Sequence, residues 1–92
     1  MPMQAQARTS RAVQLLKRVM ATRWYDPEVM ASELAVTVGT LEGYLNETMA
    51  IPLDRQLCLS LFVIQNIPPL SRAGYQLRGQ VQSAVNYQAR EF

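Results

Sequence analysis

The side chains able to do chemistry are few and scattered. In 92 residues there are seven carboxylates (Asp26, Glu28, Glu33, Glu42, Glu47, Asp54 and Glu91), one thiol and no histidine. Lacking histidine, the chain has neither the commonest general base nor the commonest metal ligand. Cys58 stands in the apolar run Leu57-Cys58-Leu59 without a basic neighbour, which describes a buried, inert thiol and a poor nucleophile. The carboxylates fall at helix starts and on surfaces, where capping and solvation account for them better than acid–base pairing does. No glycine-rich phosphate loop and no zinc-type spacing occurs. These residues predict no catalytic residue, no metal site and no cofactor, so the expectation is a protein that is not an enzyme.

Charge points instead to a partner. The net charge is only +2, yet residues 1–25 carry Arg8, Arg11, Lys17, Arg18 and Arg23 with no acid. Residues 26–55 carry six acids against Arg55 alone. A basic third beside an acidic middle orients a molecule toward something of opposite sign. Hydrophobic residues make up 49% and charged residues 17%, a composition that folds. A lone cysteine suits a reducing compartment, and Met1 to Ala7 has no apolar stretch of signal-peptide length. The apolar run Leu61 to Ile64 is too short to cross a bilayer. The expectation is a soluble cytoplasmic protein of one domain.

The elements that must position these charges are helical throughout. Residues 1–7 form a polar arm. Ala12, Val13, Leu16, Val19, Met20 and Trp24 recur at three- and four-residue steps, predicting a helix from about Ser10 to Arg23 with Thr9 or Ser10 as its cap. Trp24 and Tyr25 are expected to end that helix against the core. Asp26-Pro27-Glu28 is a strong start signal for a short helix to Leu34. Thr37 caps a third, from Val38 to about Asn46, with Leu41, Tyr44 and Leu45 as its apolar stripe. Leu53 to Ile67 is nearly apolar all round, with Leu57, Leu61, Ile64 and Ile67 along one side, and reads as a central helix ended by Pro68-Pro69. Ser71 then caps a last helix to about Arg90, whose stripe is Leu70, Ala73, Leu77, Val81, Ala84 and Val85. Tyr75 and Tyr87 fall off that stripe. The predicted fold class is all-α, a five-helix domain.

The most informative segment runs from Pro27 to Asn46. Ala31 lies four residues before Ala35, Leu41 six after it and Tyr44 nine after it. Two short helices crossing at about 90–120° need a small residue at their closest approach, a tight turn and apolar side chains inside the angle. With its loop, its proline and the core helix that follows, "ASELAVTVGTLEGYLN" resembles the helix-turn-helix of the lambda-repressor-like family of phage and bacterial repressors. The resemblance covers about residues 10–67. It implies a helix-turn-helix domain over 8–67, and a C-terminal segment, 68–92, that packs on it or forms a dimer interface.

The resemblance further implies double-stranded DNA as partner, with the first half of the third helix in the major groove. The residues carried over as DNA contacts are Thr37, Val38, Gly39, Thr40, Glu42, Gly43 and Asn46, with Arg18, Arg23 and Arg55, alongside Arg8, Arg11 and Lys17, for phosphates. The chain departs from the family at three points. Ala35 stands where glycine is usual, and a left-handed alanine costs about 1–2 kcal/mol. The reading face has no Arg, Lys or Gln, and it carries Glu42 with Glu47 just beyond. Two functions follow from this: a transcriptional regulator with sparse base readout, or a helix-turn-helix whose acidic face docks a basic protein. A homodimer through the last helix would suit the first.

Overall fold

The computed structural model describes residues 10–22 and 26–90, apart from the side chains of 87–90. The arm at 1–7 and the expectations placed on Arg8, Thr9, Arg23, Trp24, Tyr25 and the Tyr87 side chain lie outside the described residues. Five α-helices and no strand are found among the described residues: α1 (Arg11–Met20), α2 (Pro27–Glu33), α3 (Val38–Leu45), α4 (Leu53–Asn66) and α5 (Ser71–Arg90). The all-α fold class stands.

Each of the first three helices starts on the side chain its sequence offers. Ser10 Oγ accepts from the Val13 amide at 3.1 Å, Asp26 Oδ1 from Val29 at 2.9 Å, and Thr37 Oγ1 from Thr40 at 3.1 Å. Each bond satisfies one of the amides that a helix start leaves unpaired. Lys17 and Arg18 occupy the last turn of α1, where cations suit the negative helix end. Within α1 the buried set is Ala12, Val13, Leu15, Leu16 and Val19. Leu15 joins the expected stripe and widens it.

α4 and α5 make the most extensive helix–helix contact, folding back on each other through the corner at 67–70. Ile67 precedes Pro68 and takes an extended-side conformation (φ −130°, ψ 79°), as the proline ring demands. Pro68–Leu70 forms a 3-10 turn that runs directly into α5. Ser71 is therefore already helical (φ −60°, ψ −36°) and does not cap α5 as expected, because the turn before it supplies the entry. The two helices meet at Gly74. A Cβ there would lie 3.2 Å from the Ser60 carbonyl oxygen and 3.0 Å from Ile64 Cγ1, so the absent side chain sets the spacing.

The core gathers Leu15, Leu16 and Val19 of α1, Met30, Ala31 and Leu34 around α2, and Leu41 and Tyr44 of α3. Leu59 and Val63 of α4 with Leu77 and Val81 of α5 complete its centre. The expected face of α4 is corrected here. Leu59, Ser60, Phe62 and Val63 point inward, Leu57, Cys58 and Ile64 are half-buried, and Leu61 is 36% exposed. A helix apolar on all sides offers no periodic contrast, so α1, α2 and α5 decide which side is covered. Val85, placed on the core stripe by spacing, is likewise 47% exposed. Cys58 is half-buried rather than buried. No described helix is long and apolar enough to cross a membrane.

Candidate nucleic-acid interface

α2 and α3 are joined by the four residues 34–37, and the turn is built from backbone bonds. The Val36 amide donates to the Ala31 carbonyl at 2.9 Å, and the Ala35 amide to Ser32 at 3.0 Å. This pair of bonds is a Schellman closure, which requires a left-handed residue at the position of Ala35. Ala35 has φ 59°. The alanine thus adopts the conformation that the resemblance associates with glycine. Ala31, Leu34, Leu41 and Tyr44 are all buried around this turn, and Val36 packs against them.

α3 ends in the same way. Glu47 has φ 65°, with its amide donating to Tyr44 at 3.2 Å and the Thr48 amide donating to Gly43 at 3.0 Å. No glycine or asparagine marks Glu47 as left-handed in the sequence. The usable signal was only that a loop had to begin there.

The residues carried over as base readers divide into two sets. Thr37, Gly39, Glu42 and Asn46 are exposed, and Thr40 is half-buried. Val38 is half-buried and packs against the core, so its side chain serves the fold. Gly43 is corrected: it is buried, and a Cβ on it would approach Met49 Sδ to 2.5 Å, so the loop after α3 covers it. Two exposed members are also committed to local structure. The Thr37 hydroxyl donates to Thr40 Oγ1 at 3.0 Å, and Asn46 Oδ1 accepts from the Thr48 hydroxyl at 2.7 Å and its amide at 3.1 Å. Glu42 stands outward with Asp26, Glu28 and Glu33 on α2 and its cap.

The cations that composition pooled together are separated in space. Lys17 Nζ lies 3.0 Å from Glu47 Oε2, across the junction of α1 with the loop after α3. Arg55 Nη1 lies 3.1 Å from Asp54 Oδ2. Among the described residues Arg11 has only a neutral partner, its Nη1 donating to Gln76 Oε1 at 3.3 Å. Arg18 is exposed and makes no ion pair among the described residues. Arg23 lies outside them.

Arg11 and Arg18 line one cleft of about 580 Å³ between α1 and α5, together with Gln14, Gln56, Gln76 and Gln80. Arg18 also borders a second, more apolar groove of about 800 Å³ at the corner formed by Ile67, Pro68, Pro69 and Leu70. No cluster of residues able to hold a metal ion occurs among the described residues. No protein-family model, no curated protein and no solved structure matches the chain.

Proposed function

We propose that the chain is a DNA-binding regulator of the helix-turn-helix kind, resembling the lambda-repressor-like proteins, in which α2 supports α3 against the major groove. The observation that carries this reading is Ala35 at φ 59° inside the Schellman turn between α2 and α3. A left-handed alanine costs about 1–2 kcal/mol. The turn holds that conformation while Ala31, Leu34, Leu41 and Tyr44 interlock, and Thr37, Gly39 and Glu42 are exposed along α3 and its cap. In this reading base recognition is sparse, resting on Thr37, Thr40, Glu42 and Asn46, and affinity comes from phosphate contacts. Two copies pair through α5, where Tyr75 and Val85 stand 56% and 47% exposed. The chain acts in the cytoplasm and carries out no catalysis.

A titration of mixed-sequence duplex DNA at about 50 mM and then about 200 mM salt tests this reading. Binding that weakens linearly in log–log form supports it, because displaced counterions set the slope. No binding at the lower salt sinks it.

A specific observation favours a second reading, that α2 and α3 dock a basic protein. From Asp26 to Asn46 there are four exposed carboxylate side chains and no lysine or arginine. With Gly43 covered and Asn46 engaged by Thr48, the same surface has little left to read bases.

A further inference from the structure

Arg11, Gln14 and Arg18 lie three and four residues apart on α1, so they form one stripe along its length. Across from them Gln76 and Gln80, one turn apart, form a stripe on α5. The two stripes face each other over a cleft that Ala12, Leu15 and Ala73 floor and Gln56 closes from α4. Lys17, on the opposite flank of α1, is outside it.

The charge in this cleft is uncompensated. No carboxylate lines it among the described residues. Elsewhere Lys17 has Glu47 and Arg55 has Asp54, while Arg72 and Arg78 on α5, also without an ion pair among the described residues, lie outside this cleft. Among the described residues Arg11 has only the Gln76 carbonyl oxygen, a bond that leaves the glutamine's amide nitrogen as a further donor on the same wall. A site with two guanidiniums, several amide donors and no acid suits phosphate oxygens, which arginine and glutamine both contact.

The spacing narrows the ligand. Seven residues of helix separate the two arginines by about 10.5 Å along the axis. The phosphates of one strand of duplex DNA rise about 3.4 Å per nucleotide along the axis while winding around it, so neighbours lie farther apart in space than that rise, and about 10 Å spans one to two nucleotides. We propose that the α1–α5 cleft holds the phosphodiester backbone of a nucleic acid, with Arg11 and Arg18 on phosphates one or two nucleotides apart and Gln76 and Gln80 donating between them. This inference rests on the reading of the chain as nucleic-acid-binding, but not on α3 as the element that reads bases.

The test uses the full chain with a short mixed-sequence duplex, the same sequence as a single strand, and inorganic phosphate. Arg11→Gln with Arg18→Gln should lower the slope of log affinity on log salt by about 1.8 for the duplex and about 1.4 for the single strand, as two lost phosphate contacts require. Lys17→Gln should leave both slopes within about 0.3 of the parent, because Glu47 already balances that charge and the side chain lies outside the cleft. All three side chains are exposed, so the variants keep the fold, which circular dichroism checks. Tighter binding of the single strand than of the duplex would identify the strand as the natural occupant. Equal loss in the arginine and Lys17 variants would overturn the cleft in favour of diffuse charge. Competition by inorganic phosphate that matches the strand, phosphate for phosphate, would overturn the backbone as ligand and leave a simple anion site. Duplex binding that responds to Glu42→Gln but not to the double arginine change would overturn the cleft while sparing the function proposed for α3. No binding of either nucleic acid at about 50 mM salt would overturn both.

Discussion

The Val36 amide reaches back 2.9 Å to the carbonyl of Ala31, closing α2 around a left-handed Ala35. Ala31 is the small residue that lets α3 approach, and Val36 is the first residue to pack after the turn. One hydrogen bond therefore joins the end of α2 to the contact that fixes the angle of α3. Glycine at 35 would keep that bond and remove the Cβ conflict, worth about 1–2 kcal/mol, while adding about 0.4–1 kcal/mol of unfolded-state entropy. Ala35→Gly should stabilise the fold by up to about 1.6 kcal/mol in urea denaturation. Ala35→Val, branched at Cβ, should destabilise it; equal midpoints for the two variants would show that the turn is not left-handed in solution.

The two α5 glycines make a paired test of the hairpin. Gly74 faces the Ser60 carbonyl and Ile64 at 3.0–3.2 Å from a notional Cβ, whereas Gly79 has nothing within 4 Å and is exposed. Gly79→Ala should gain close to the full helix-propensity difference, about 1 kcal/mol. Gly74→Leu should cost about 1–3 kcal/mol, because the helices must separate to admit the side chain. Thermal denaturation of both variants checks the pair, and a stabilised Gly74→Leu would mean that the α4–α5 spacing is looser than described.

Leu41 and Leu61 are alike in sequence and unlike in place. Leu41 is fully buried beneath the α2–α3 angle, and Leu61 is 36% exposed. Leu41→Ala should cost about 2–5 kcal/mol and Leu61→Ala less than about 1 kcal/mol. Chemical denaturation of the two variants tests the rotation assigned to α4; equal losses would return Leu61 to the core.

That contrast also marks where the sequence is legible. The caps Ser10, Asp26 and Thr37 act within one helical turn, so local residue types suffice to find them. The strained turn at Ala35 is visible because spacing locates it between two apolar patterns. The inward face of α4 is not visible, since Leu57, Leu61 and Ile64 carry the same apolar signal as Leu59, Phe62 and Val63. The helices packed on it, α1, α2 and α5, choose between the two sets. The candidate interface behaves similarly. The Lys17–Glu47 pair spans 30 residues, and the cover of Gly43 comes from Met49 in a loop without periodicity. The Arg55–Asp54 pair is local to the sequence, whereas the placing of Arg11 and Arg18 in one cleft follows from packing.

Glu42 separates the two functions proposed for α2 and α3. It is exposed on α3, and no cation stands on either helix to offset it. Against a phosphate at roughly 4 Å in water a carboxylate costs about 1 kcal/mol. If α3 enters a DNA groove, Glu42→Gln should therefore tighten non-specific duplex binding roughly fivefold at low salt, with the gain shrinking as salt screens the repulsion. If the acidic surface docks a basic protein, the same change should weaken binding to a lysine-rich peptide by a similar factor and leave duplex DNA unaffected. Fluorescence anisotropy with both probes reads the two outcomes from one pair of proteins. A neutral result with the duplex, alongside strong duplex binding by the parent chain, would remove α3 from the groove and leave Arg11 and Arg18 to account for the affinity.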